Sequence, residues 1–150
     1  MSIRCFAPER CANQDELIDR FDLPVALMQD AEALERISAE LVAAKAAENV
    51  RYLEVRWAPT LHLAGGLSLA DGIAAVVRGG NAAAARAGVE ARYICTALRS
   101  HSLELAVAAA ETASTFRDRG LVGFDLAGRE ERYPDPLVFA RAFEAARAGG

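Results

Sequence analysis

Apolar residues recur along this chain with two different periods, and the switches between them divide it into elements. In Asp15–Phe21, Leu17, Ile18 and Phe21 share one side of two helical turns, and Pro24 is expected to break the chain after them. Asp30 is a side-chain cap ahead of Leu34, Ile37, Leu41 and Ala44, whose spacing predicts a helix from Ala31 to Glu48 with those four facing inward. Glu32 and Arg36 on that helix make a surface pair in the favourable order, worth only a few tenths of a kcal/mol. The period then drops to two. Val50–Trp57 sends Leu53, Val55 and Trp57 one way and Tyr52, Glu54 and Arg56 the other, which predicts a first strand.

The same alternation of elements continues to the end. Ala58–Gly66 is a loop with Pro59 and His62, and Ser68 with Asp71 three residues on resembles a capping box that opens a helix. Ile73, Val76, Val77 and Ala84 form its inner side. Gly79-Gly80 should weaken it by roughly 1 kcal/mol per glycine against alanine, and Gly88 ends it. Ala91–Leu98 is a second strand. Ser100 or Ser102 caps a third helix with Leu105, Ala109, Thr112, Ala113 and Phe116 inward; Gly120 stops it, and Leu121–Leu126 is a third strand. Asp135-Pro136 places a cap and a first-turn proline before a last helix striped by Phe139, Ala142, Phe143 and Ala146. Residues 1–14 lack this periodicity and read as a loose arm, leaving 15–150 as the folded unit.

Strands alternating with helices mean βαβ units and an α/β fold with a parallel sheet. Such a sheet is normally covered on both faces, yet Glu54, Arg56 and Asp125 lie on or beside strands. Charges on a strand face are costly unless that face lines a polar cavity or a barrel interior. Three strands also make a poor isolated sheet, with two unpaired edges.

Composition narrows the function. Charged residues are 25% of the chain, and the net charge of −4 with no basic cluster argues against a nucleic-acid surface. No apolar run approaches the roughly 20 residues that cross a bilayer. Three cysteines (Cys5, Cys11, Cys95) have no metal-binding spacing and form no disulfide framework, which makes the cytoplasm the expected compartment.

Four motifs then carry a resemblance. EALERI, ENVRYLEVRWAPTLH, ARYICTALR and GFDLAGRE, in this order and spacing, resemble the adenosine deaminase family over Asp15–Gly150. The resemblance implies a TIM (β/α)8 barrel, here partial, with Val50–Trp57, Ala91–Leu98 and Leu121–Leu126 as barrel strands two to four and Asp15–Phe21 in helical cover over the pocket. It implies hydrolytic deamination of adenosine or a related aminopurine with one zinc ion. Gly128 matches the glycine whose backbone N–H meets a purine ring nitrogen, and Leu98 an apolar pocket wall. Arg56, Arg99, Asp125 and Glu130 match charged positions expected to brace the strand ends. For Asp125, orienting a neighbouring loop is preferred over acting as a general base.

The departures from the family pattern matter as much. Its zinc ligands, an H-x-H, a further His and an Asp, and its catalytic Glu in a His-Ala-Gly-Glu motif, find no match; His62 and His101 are the two histidines. A catalytic zinc needs about three converging protein ligands. His62 is therefore expected to be a loop histidine bonded to backbone or water, His101 a surface residue in a capping turn, and no zinc is expected on this chain alone. The expectation is a fragment of a deaminase that cannot catalyse by itself. The alternative is a non-catalytic assembly or purine-binding module that self-associates or pairs with a complementing chain.

Overall fold

Three strands, β1 (Tyr52–Trp57), β2 (Glu90–Leu98) and β3 (Leu121–Ala127), lie side by side in chain order, and all run parallel. The structure is a computed structural model and describes residues 10–150. Parallel neighbours need a crossover, which α4 (Leu69–Ala87) and α5 (Leu103–Ser114) provide. Ahead of β1 come α1 (Gln14–Ile18), α2 (Asp22–Leu27) and α3 (Ala31–Ala47), and α6 (Ala140–Ala148) closes the chain. The expected N-terminal arm lies largely outside the described residues, and Asn13 already caps α1.

Helix starts follow the chemistry of their caps. Side-chain oxygens of Asp30, Ser68 and Ser102 accept from the N–H groups of Ala33, Asp71 and Leu105 at 2.8, 3.1 and 3.2 Å, so Ser102 rather than Ser100 opens α5. Asp135 accepts from Leu137 at the 3-10 turn Pro136–Phe139 that leads into α6. Pro24 does not break the chain. It sits in the first turn of α2, where its missing N–H would have had no helical partner.

Cross-strand register sorts the sheet into two faces. Val55, Tyr93, Cys95 and Leu121 turn to the helices and form one core with Ile73, Val76, Val77, Ala109 and Ala113. Trp57 meets Tyr93 edge to face at 6.3 Å between centroids. The opposite face places Glu54 beside Arg92, Arg56 beside Ile94, and Thr96 beside Asp125. A sheet covered by helices on one side and polar on the other is the wall of a barrel seen from its lumen.

The helical side is held at very short range. A Cβ on Gly79 would overlap the Glu35 carbonyl oxygen of α3, and one on Gly80 would overlap the Tyr93 hydroxyl. The glycine pair therefore does not merely weaken α4, because it lets α3 and β2 approach. Ser38 fills the gap and donates to the Val76 carbonyl at 2.8 Å, while Tyr93 donates to Asn81 Oδ1 at 3.0 Å. Burial pushes the Tyr93 phenol up to about 12, so it remains a donor.

This close contact overturns two packing expectations. The inward row of α3 is Leu34, Ser38 and Val42, and Ile37 and Leu41 are 46% and 41% exposed. Small Ser38, not a large apolar residue, fits against the glycine pair and turns the helix accordingly. On α5 the inner row is Ala106, Ala109, Ala110 and Ala113, with Leu105 and Thr112 only half-buried, because short side chains let the helix sit close on β2. Arg36 pairs with Glu40 at 2.7 Å instead of Glu32.

Gly79→Ala provides a test, since helix propensity and packing make opposite predictions. Propensity alone would stabilise α4 by about 1 kcal/mol, whereas overpacking costs typically 1–3 kcal/mol. Packing should win at a backbone–backbone contact, and the urea midpoint of Gly79→Ala is expected to fall.

Candidate functional site

All three strands end at one edge of the sheet, at Trp57, Leu98 and Ala127, and the loops leaving that edge are tied to one another. His101, after β2, meets Thr60 Oγ1, after β1, at 3.1 Å. The Arg99 N–H donates to the Ala127 carbonyl at 2.8 Å, and its guanidinium reaches the Tyr133 carbonyl at 3.0 Å and Glu130 at 3.5 Å. Arg99 is thus the tie between the end of β2 and the loop that follows β3. Its side chain is 10% exposed, and Nε is buried without a partner among the described residues.

Gly128 opens that loop with φ of 125°, a region L side chains rarely adopt. A Cβ there would lie 3.4 Å from the Arg99 backbone nitrogen and Cβ. The turn is what calls for glycine here, since a Cβ at that distance would only be in ordinary van der Waals contact with the β2 end. Leu98 is half-buried and pairs in register with Ala127, one residue before Gly128. An apolar side chain and a bare backbone consequently sit side by side on the lumen face, a combination suited to a flat ring.

Arg56 reaches across β2 and pairs with Asp125 of β3 through Nε and Oδ2. Asp125 Oδ1 also accepts from the Leu126 N–H at 2.6 Å. Both side chains are substantially exposed, 50% and 35%, so the pair contributes little to stability, on the order of 0–1 kcal/mol. Its effect is geometric: it links the first strand to the third above Ile94 and Thr96. Glu54 takes no part, because it accepts from the Tyr52 hydroxyl at 2.7 Å, and its cross-strand neighbour Arg92 pairs with Glu90. Of the two charges that β1 presents on this face, only Arg56 therefore joins one strand to another.

Both histidines serve the loops. His62 is buried with Nδ1 2.7 Å from the Met28 carbonyl, and desolvation lowers its pKa against the opposing effect of that hydrogen bond. His101 is half-buried rather than a surface residue, and burial lowers its pKa as well. Cys95 is fully buried and burial pushes its thiol up to about 12, which disfavours a thiolate there. Among the described residues, no group of three or more His, Cys, Asp or Glu side chains converges to hold a metal. The residues present do not fit a catalytic zinc centre.

Two side chains of this edge have distant partners that no local sequence pattern announces. Arg129 binds Asp15 and Asp19, the latter at 2.6 Å and 110 residues away in the chain. Gln29 donates to the Val25 and Leu61 carbonyls and accepts from the Ala64 N–H. Neither partnership shows in periodicity or spacing, because both join segments brought together by the fold.

Fold and edge together define a section of a parallel α/β barrel whose ligand edge is the C-terminal one. The adenosine deaminase family model matches residues 8–150. An adenosine deaminase of Vibrio vulnificus is 48% identical over 124 residues, 83% of this chain and 38% of that protein. A zinc-bound amidohydrolase from Burkholderia ambifaria superposes with a TM-score of 0.80 at 32% identity, over 90% of this chain and 37% of its own. The apo N6-methyl-AMP deaminase of Arabidopsis thaliana gives 0.78 at 29% identity, over 91% and 42%. The chain belongs to the adenosine deaminase family, and it spans about two-fifths of the length of these relatives. Among the described residues no helix is long and apolar enough to cross a membrane.

The two histidines predict a pH dependence with a definite sign. With folded pKa values below the ordinary 6.5, the unfolded chain binds more protons near and below that pH. Stability is then fully present above about 6.5 and lost as pH falls. Urea midpoints measured at pH 7.5 and 5.5 should show this loss, and His62→Asn, which keeps a donor but cannot titrate, should reduce it.

Proposed function

We propose that these 150 residues form part of the purine-facing wall of an adenosine deaminase, with zinc and the proton-transferring groups supplied from outside them. The observation that carries the reading is Gly128. Its left-handed backbone leaves the end of β3 bare beside Leu98, in a chain of the adenosine deaminase family. The geometry is compatible with these roles. The Gly128 backbone would approach a purine edge, Leu98 would lie against its face, Arg99 with Glu130 would hold the Gly128 loop, and Arg56 with Asp125 would space the strands. Asp125 acts here as a brace, since its two oxygens already serve Arg56 and the Leu126 N–H. The substrate class is a purine nucleoside or base. Arabidopsis relatives at 29% identity are complexed with IMP and GMP. The free thiols of Cys11 and Cys95 suit a cytoplasmic setting.

The contacts of the two histidines support the division of labour. His62 and His101 each spend Nδ1 on a loop contact, and no third ligand joins them among the described residues. By this reading the chain alone binds a purine weakly and does not deaminate it.

Calorimetric titration of the purified 150-residue chain with adenosine, alongside metal analysis and an ammonia assay, tests this. Weak adenosine binding is expected, reduced about tenfold, or roughly 1.4 kcal/mol, by Gly128→Ala, with no stoichiometric zinc and no ammonia. Tight zinc with turnover would overturn the proposal, and so would the absence of purine binding at millimolar adenosine.

One observation favours a second reading, an assembly module. Among the described residues β1 and β3 each pair on one side only, and Tyr52 and Val122 on them are 51% and 54% exposed. Open parallel edges favour association with a second copy or a complementing chain. Sedimentation across a hundredfold concentration range should then show a rising mass. A monomer with a sharp, concentration-independent thermal transition would exclude it.

A further inference from the structure

A cleft of about 400 Å³ lies between the end of β2 and the loop that follows β3, and its lining includes Arg99, His101, Arg132, Tyr133, Asp135 and Val138. Neither Gly128 nor Leu98 lines it, so it is separate from the face assigned to the purine. We propose that this cleft binds a phosphate group, held by the guanidinium groups of Arg99 and Arg132 and by His101. The proposal goes beyond the purine-wall reading and does not depend on it.

The charges of the cleft are unbalanced where burial makes imbalance costly. The Arg99 side chain is only 10% exposed, yet its carboxylate partner among the described residues is Glu130, 3.5 Å away and itself 73% exposed. The Tyr133 carbonyl at 3.0 Å satisfies one terminal nitrogen, and Nε is buried without a partner among the described residues. A carbonyl supplies a hydrogen bond but not a counter-charge, and a buried charge without one is costly. Arg132 forms no ion pair among the described residues. The carboxylate that lines the cleft, that of Asp135, caps the following turn by accepting the Leu137 N–H at 2.9 Å. Two arginines against one aspartate leave the lining one positive charge in excess.

His101 adds a neutral donor. Its Nδ1 lies 3.1 Å from Thr60 Oγ1, and that buried hydroxyl has no other hydrogen bond among the described residues. With the hydroxyl donating to Nδ1, the ring carries its proton on Nε2, and burial holds the imidazole neutral near pH 7. The Nε2–H is then the donor that His101 can offer an oxyanion.

The donor set suits a phosphate better than a carboxylate. Each guanidinium is a planar fork that bonds two oxygens at once, and the two forks and the imidazole come from separate segments of the chain. A carboxylate has two oxygens in one plane, whereas a phosphate presents at least three in a pyramid and carries more than one negative charge near neutral pH. Tyr133 and Val138 supply an apolar part of the wall, and low-dielectric walls beside charges of one sign raise the local concentration of the opposite ion. Arg99 also donates through its backbone N–H to the Ala127 carbonyl at 2.8 Å, so a bound phosphate would join the end of β2 to the loop after β3.

Titration of the 150-residue chain with inorganic phosphate at constant ionic strength, followed by amide chemical shifts, tests the site. Amides of residues 99–102 and 130–135 should shift together and saturate in the low millimolar range. Arg132→Gln should weaken binding about three- to tenfold. His101→Asn, whose side-chain oxygen can replace Nδ1 but which has no group at Nε2, should weaken it about two- to fivefold. His101→Gln places an amide N–H near Nε2 and should keep more of the affinity. Asp135→Asn is expected to tighten binding about three- to fivefold, because asparagine still caps the turn and the negative charge is gone. Loss of folding cannot produce that gain, so this arm decides the question even where another variant unfolds. AMP in a parallel titration separates the sources of the phosphate. Shifts of the same amides at lower concentration than phosphate assign the site to a nucleotide's phosphate, and equal or weaker action assigns it to the free ion. Shifts that fail to saturate, that spread over the whole surface, or that Arg132→Gln and Asp135→Asn leave unchanged would each overturn the proposal.

Discussion

The parallel register of the three strands is the constraint from which the rest follows. Because β1, β2 and β3 point the same way, Trp57, Leu98 and Ala127 end at one edge, and every loop that carries candidate chemistry leaves from there. Antiparallel pairing would have sent alternate loops to opposite ends and separated Gly128 from Arg99. Parallel strands in turn demand crossover helices, and these cover one face while the other keeps Arg56, Thr96 and Asp125.

The helical face achieves closeness with small residues rather than with bulk. Gly79 and Gly80 bring α4 against α3 and Tyr93, and an alanine row on α5 does the same against β2. Each such contact buries little apolar area per residue, so density rather than side-chain volume supports this core. The rigid platform matters for the edge, because the loop ties among Thr60, His101, Arg99 and Tyr133 position atoms only if the strands beneath them do not shift.

Electrostatics is used on two scales. Arg56–Asp125 and Arg99–Glu130 join parts of the sheet edge whose backbones are already fixed by register, so they refine position. Arg129 with Asp15 and Asp19 joins that edge to a segment with no buried residue, so there the same kind of contact sets the arrangement itself. Partly exposed pairs of similar chemistry thus differ in consequence because the structure behind them differs in stiffness.

Much of this was legible in the chain. Caps at Asp30, Ser68 and Asp135, stops at Gly88 and Gly120, and the two-residue alternation of Val50–Trp57 are local effects, decided within a few residues by hydrogen-bond geometry and side-chain direction. The charged strand face and the bare glycine after β3 were visible for the same reason. Local pattern failed where distant segments meet. Ile37 and Leu41 have helical spacing but face outward, because the partner of α3 is a glycine pair that accepts Ser38. Pro24 fits inside a helix because a preceding turn supplies its start. Arg129 gains its carboxylates from 110 residues away, and no periodicity encodes a contact at that range. The amino-acid order by itself determined which segments become strands and helices and which chemistry each strand end offers. Their association into one parallel sheet decided which faces are buried and which charges meet, since those outcomes depend on packing between elements and not on any one of them.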